Sequence, residues 1–216
     1  MMAIAADHLP KKMKTSSSGP HASANASGLL LRGSLLLLAL AGNASNAAER
    51  YQIDSTHTFS YFEYSHWGLS MQRSRFDTTT GTIELDRDNQ SGSVEIDIDA
   101  ASVSTGSDGF NQIMRSGDYF DSANFPKISF KSSALHFDGP QLTQVDGDLT
   151  IKGISHPVTL QISNFNCRFM LIYGKQACGA NGSASILRSD YKLGRYVPFV
   201  SDAVTLHISV EAIKEY

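Results

Sequence analysis

From Tyr51 onward the chain alternates apolar and polar residues with period two. Val94, Ile96 and Ile98 point one way while Glu95, Asp97 and Asp99 point the other. Val145, Gly147, Leu149 and Ile151 alternate with Asp146, Asp148 and Thr150, and Val158, Leu160 and Ile162 with Thr159, Gln161 and Ser163. Val204, Leu206, Ile208 and Val210 repeat the pattern near the end, as do Phe62 and Tyr64 near the start. Successive side chains of a strand leave on opposite faces, so this rhythm predicts antiparallel strands with one dry and one wet face. About eight strands are expected, over residues 58–66, 72–86, 92–103, 127–137, 141–152, 156–167, 176–188 and 202–214. Turn residues divide them, among them Asp88-Asn89-Gln90-Ser91-Gly92, Asp138-Gly139-Pro140 and Gly174-Lys175.

One stretch breaks the rhythm. Phe110, Ile113 and Met114 fall at helical spacing, Ser107 or Asp108 can start a helix, and Gly117 can end it. A short helix is expected in this connection, acting either as a lid over a barrel mouth or as ordinary packing. The predicted architecture is all-β, an eight-stranded antiparallel up-and-down barrel with one short helix in a connection. Closure removes exposed sheet edges, and most connections are short enough for sequential hairpins.

Residues 1–48 differ from the rest. Lys11, Lys12 and Lys14 precede a Ser- and Gly-rich stretch, the apolar run Leu35–Ala41, and the small residues Ser45-Asn46-Ala47. That order describes an export signal, with the barrel domain over 49–216. The apolar run is too short to span a bilayer, so no transmembrane segment is expected in the mature chain. Residues 49–216 carry 14 Lys and Arg against 20 Asp and Glu, a net of −6, which argues against nucleic acid as a partner. Two cysteines, Cys167 and Cys178, in an exported chain predict a disulfide. They are too few for a zinc site, and no metal or catalytic residue is assigned.

Candidate chemistry is sparse. His57, His66 and Asp54 are the residues nearest to an acid–base set, with hydrogen bonding to local groups as the simpler role. An Arg188–Asp190 pair closing a barrel end is expected. His66-Trp67 is a candidate to stack on a ring. His136, His156 and His207 receive no role. The stripe Glu95, Asp97 and Asp99 reads as a solvated outer face, and Asp86–Gly92 as a hairpin turn that lacks the glycine and glutamate of a calcium loop.

The segments now assembled resemble the YceI-like family, periplasmic polyisoprenoid-binding proteins with a lipocalin-like barrel. They are Tyr51-Gln52-Ile53-Asp54 with His57; Phe62-Glu63-Tyr64-Ser65-His66; Val94-Glu95-Ile96-Asp97 with Val103-Ser104-Thr105-Gly106; and Met114-Arg115-Ser116 with Asp118-Tyr119-Phe120. Asn124–Phe130, Val145–Ile151 with Pro157-Val158, Arg188-Ser189-Asp190-Tyr191, and Val197-Pro198 with Ser201–Val204 follow in order. Lys192 stands where the family commonly has glycine, and Ser74-Arg75 precede Phe76 near another such position. The resemblance implies an apolar tunnel for an isoprenoid quinone or polyprenyl lipid, without catalysis or cofactor, in the periplasm. Alternation by itself fits a filled core equally well. Given a tunnel, strand parity places Phe62, Tyr64, Val94, Ile96, Ile98, Phe130, Leu149, Ile151, Leu160, Ile162, Val204 and Leu206 on its wall, with Phe110 and Met114 of the helix above. The alternatives are an exported enzyme acting on a lipid headgroup and a stress-response scaffold with a filled barrel. Whether the chain forms a homodimer is left open.

Overall fold

The computed structural model describes residues 48–216. The export-signal reading of the preceding segment therefore lies outside the described residues. The strands are β1 (Glu49–Ile53), β2 (Phe59–His66), β3 (Ser70–Phe76), β4 (Thr79–Asp86), β5 (Ser91–Asp99), β6 (Val103–Ser104), β7 (Lys127–Asp138), β8 (Gln141–Ile151), β9 (Ile154–Met170), β10 (Lys175–Leu187) and β11 (Ala203–Lys214). Among the described residues a single α-helix, α1 (Asp108–Arg115), lies between β6 and β7.

Eight strands close a ring, in the order β1-β4-β5-β7-β8-β9-β10-β11 and back to β1, every pair antiparallel. The expected barrel and its lone α-helix are both present. Two strands are bent and each serves twice. β1 and β2 are one run broken at Asp54–Thr58, and both lie along the same edge of β11, at Ala212–Lys214 and at Thr205–Ser209. Thr58, fully buried, clips this bend to β11: its Oγ1 donates to Glu211 O (3.2 Å) and accepts from Glu211 N (3.1 Å). The expected single strand over 72–86 is likewise two, β3 against β2 and β4 against β1, with the break at Asp77-Thr78. Tyr51 and Ile53 carry β1, which the pattern reading did not include because five residues offer too few alternations to count.

Parity puts the apolar set inside. Ile96, Phe130, Leu149, Ile151 and Val204 are all buried. The outer stripe is solvated as expected, with Lys131 Nζ on Glu95 (2.8 Å) and Lys127 Nζ on Asp97 (2.9 Å), while Asp99 caps the turn at Ala100–Ser102. Bulges interrupt the alternation at Ser133 on β7, Thr143 on β8 and Ser163 on β9, each an extra residue opposite an unbroken pair on the neighbouring strand. A strand period cannot carry through a bulge, so inward positions shift there, from Ile162 to Phe165 on β9. Gly147 has a packing reason: a Cβ there would sit 2.5 Å from Lys131 O and 2.6 Å from the Phe130 ring, so only glycine lets that ring lie flat on β8.

Cys167 and Cys178 oppose one another on β9 and β10 and form a disulfide. β9 runs on from its last pair with β8, at Gln161, to Met170. The β9–β10 hairpin therefore stands out at one end of the barrel. At its apex Phe169, Leu171, Ile172 and Tyr173 are exposed.

Candidate functional site: an apolar cavity opening at one barrel end

The end of β2, the start of β11 and the end of β10 surround a cavity of ≈ 340 Å³. Of the residues expected on a tunnel wall, Phe62, Tyr64, Ile96, Ile98, Phe130, Leu149, Ile151, Leu160, Val204 and Leu206 line it. Phe110 and Met114 of α1 line it too, together with Phe120 just beyond the helix. Phe120 meets Phe62 and Phe76 edge-on at 5.9 and 5.1 Å between ring centroids. The helix is thus a cover for the cavity and an ordinary packing element at once. Ile113, which shares its helical spacing, is half exposed and faces away.

Two expected positions lie elsewhere. Val94 is buried deeper, where a second space of ≈ 50 Å³ is bounded by Leu85, Leu142, Val145, Phe165 and Cys178. Ile162 packs toward Gly182, beside Ile208, and borders neither space. Parity tells which face a residue takes but not how far down the barrel it sits. Ile96, Leu160 and Ile208 border both spaces and form the partition between them.

Several lining residues were not anticipated. Ile128, Ile186 and Ile208 share the parity of Phe130, of the buried Ala184, and of Leu206, so the same count extended by one step finds them. Leu193, Arg195, Tyr196 and Val200 come from the segment between β10 and β11, which has no period to read.

The rim is built around Arg188. Its Nε donates to Ser201 O (2.8 Å), one Nη to Val200 O (2.9 Å) and the other to Leu193 O. The guanidinium fork thus folds residues 193–201 over the barrel end. Burial holds the Arg188 pKa below its ordinary value, offset by the nearby Asp202. The expected Arg188–Asp190 pair is not what forms, because the fork is spent on backbone carbonyls. Asp202 instead accepts from Ser189 N and Oγ at 2.9 and 2.7 Å. Burial also raises the Tyr64 and Tyr119 hydroxyl pKa values, so both stay neutral donors near the cavity.

The acid–base set does not assemble. Asp54 accepts from Thr56 and pairs with His57 Nδ1 at 2.8 Å at the β1–β2 bend, and neither lines the cavity. His66 lines it alone of the three, its ring edge-on to Trp67. Among the described residues no group of three or more His, Cys, Asp and Glu side chains is placed to hold a metal ion. No helix among them is long and apolar enough to cross a membrane. What remains is a hydrophobic pocket whose charged groups all sit at the rim.

Lys192, at the position where a glycine was expected, is in the left-handed region (φ 57°, ψ 33°). Glycine adopts that conformation without steric cost, and a lysine there is strained.

Similar proteins agree with the architecture. Protein YceI of Escherichia coli O6:H1 is 29% identical over 180 residues, 83% of this chain and 93% of its own. A UPF0312 protein of Vibrio vulnificus is 30% identical over 175 residues, 80% of this chain and 90% of its own. Burkholderia cenocepacia BcnA superposes with a TM-score of 0.62 at 21% identity, over 74% of this chain and 98% of its own. A polyisoprenoid binding domain from Saccharophagus degradans, implicated in plant cell wall breakdown, gives 0.58 at 20% identity, over 76% of this chain and 98% of its own. The model of the YceI-like domain matches residues 51–212, and the chain belongs to that family.

Proposed function

We propose that this protein binds an isoprenoid lipid, a quinone or a polyprenyl compound, inside the barrel and carries or sequesters it in the periplasm. The observation that carries the reading is the ≈ 340 Å³ cavity walled by Phe, Ile, Leu, Val and Met. Such a wall selects for apolarity and shape, and each methylene-sized group buried contributes roughly 0.8 kcal/mol. A structural relative described as a polyisoprenoid binding domain supports the ligand class. The basic, apolar and small-residue order of residues 1–48 supports export. In this reading Phe62, Tyr64, Phe130, Leu149, Val204 and Leu206 hold the chain near the mouth, while Ile96 and Leu160 form its floor.

The test is native mass spectrometry on protein purified without detergent, followed by solvent extraction of the bound species. A co-purified mass with isoprenoid spacing is expected, and it should be absent from Leu160→Glu or Ile98→Glu, since an unpaired carboxylate in this wall is costly to bury. Circular dichroism checks that each variant folds. A ligand-free spectrum that persists after incubation with quinones and polyprenols would overturn the reading in favour of a scaffold.

A further inference from the structure

Two segments at the cavity mouth carry apolar side chains outward. The β2–β3 hairpin presents Trp67 and Leu69 from its turn and Met71 from the start of β3, and the segment before β11 presents Tyr196 and Phe199. Leu69 is 85% exposed and Met71 65%. Scattered exposed apolar residues are ordinary, but these are joined. The Trp67 and Phe199 rings stack at 4.7 Å, Trp67 N donates to Phe199 O (2.8 Å), and Ser201 N donates to Ser65 O (3.0 Å). Trp67 and Tyr196 both adopt positive φ, 55° and 66°, which is rare for bulky side chains. Backbone strain is accepted at the two aromatic residues that are half exposed and also line the cavity.

Charge separates the same way. Residues 49–216 are net acidic, yet no Asp or Glu occurs between Glu63 and Asp77, or between Asp190 and Asp202. Those two stretches carry Arg73, Arg75, Lys192 and Arg195, of which Arg73 pairs with Glu63, Arg75 with Asp77 and Arg195 with Asp118, so the surface behind the tip is charge-balanced where the domain as a whole is acidic. An aromatic and aliphatic tip above charge-balanced ion pairs matches the interface of a bilayer, where Trp and Tyr sit at headgroup level. The acidic body would be repelled by anionic lipid, and this tip is the part that would not be.

We infer that this tip docks the cavity mouth onto a phospholipid bilayer, so that an apolar chain passes between membrane and barrel without crossing water. The inference rests on the isoprenoid-binding reading for its purpose, but not for its test. Trp67 is the sole tryptophan of the chain and reports directly on the tip. The probe is a vesicle of phosphatidylethanolamine and phosphatidylglycerol, free of isoprenoids and carrying brominated acyl chains. Trp67 emission is expected to shift to the blue and to be quenched by the bromine. Leu69→Asp and Met71→Asp, neither of which lines the cavity, should each weaken vesicle partitioning by roughly tenfold. Both should still bind a short soluble prenol as the unaltered protein does. Leu171→Asp, at the exposed apex of the β9–β10 hairpin, should leave vesicle binding unchanged.

Absence of quenching at saturating lipid would overturn the inference. So would a Leu69→Asp variant that partitions normally, or a Leu171→Asp variant that does not. A dimer in sedimentation that Leu69→Asp dissociates, without vesicle binding, would assign the tip to a second copy and also overturn it. Vesicle binding without prenol binding would uphold the docking surface while removing the proposed cargo.

Discussion

Arg188 does at the scale of one residue what a salt bridge is usually invoked to do. Three backbone carbonyls, of Leu193, Val200 and Ser201, take its donors, and the rim of the cavity is held by that fork. Removing it leaves these acceptors in a region with little access to water, at about 1–3 kcal/mol for each one left unsatisfied. Arg188→Ala is therefore expected to destabilise by about 3 kcal/mol in denaturant titration. Arg188→Lys should recover only part of this, since an ammonium cannot reproduce the planar fork. The Asp54–His57 pair acts differently, as a pH-dependent clasp at the β1–β2 bend. The hydrogen bond to Asp54, then its charge, raises the His57 pKa above the ordinary 6.5. Burial pushes the Asp54 carboxyl up, but hydrogen bonds from Thr56 and His57 together outweigh it and leave the pKa below the ordinary 3.8. The His57 contribution is complete below 6.5 and is lost as pH rises through the raised value. The Asp54 contribution is present above 3.8 and is lost as pH falls through the lowered one. The Tm difference between the unaltered protein and His57→Ala should accordingly be largest between these two ordinary values and shrink on both sides. A difference that does not vary with pH would exclude the clasp.

Among the elements, the β9–β10 hairpin depends most on a covalent link. The disulfide closes a loop of sequence separation 11 just below the projecting apex. In the chain-entropy picture such a loop contributes about 2–3 kcal/mol. Replacing both cysteines by serine should lower stability by that amount under oxidising conditions, and reductant should have no further effect on the double variant. The strands of the barrel wall were the legible part of the molecule. Val94, Ile96 and Ile98 or Val204, Leu206 and Ile208 declare an inward face by alternation alone, because the physics that buries them acts on each strand separately. Three features were not legible. The bend at Asp54–Thr58 comes from sharing one edge of β11, and that at Asp77-Thr78 from following β2 and then β1, long-range demands with no local signature. Depth along the barrel, which separates Val94 from Ile98, depends on register with neighbouring strands. The rim segment with Leu193 and Tyr196 is shaped by Arg188, and nothing in its own order of residues announces that.

For the molecule as a whole, the barrel interior holds a main cavity and, beyond Ile96, Leu160 and Ile208, a smaller and deeper space. A cavity of about 150 Å³ accepts a benzene, so ≈ 340 Å³ holds roughly two bodies of that size. Affinity for a series of prenols should therefore rise with chain length up to about three isoprene units and then level off, as the extra length finds only the mouth. Ile96→Ala removes part of the partition toward the deeper ≈ 50 Å³ space. It should move the plateau to longer chains, at a cost of about 2–5 kcal/mol in stability. Isothermal titration with prenols of graded length reads both effects, and an unchanged plateau in Ile96→Ala would show that the partition is not the floor.

The shared edge of β11 also governs when the barrel can exist. β1 and β2, at the front of the domain, each find one of their two partners in Ala203–Lys214, the strand that closes the ring. Thr58 and Glu211, which fasten the bend, are 153 residues apart. A ring that closes through its first and last strands has no closed intermediate, and contacts this distant in sequence form slowly. While it is being made, the domain must therefore remain open until Ala203–Lys214 emerge, which is the condition a chain needs in order to be threaded through a narrow pore before it folds.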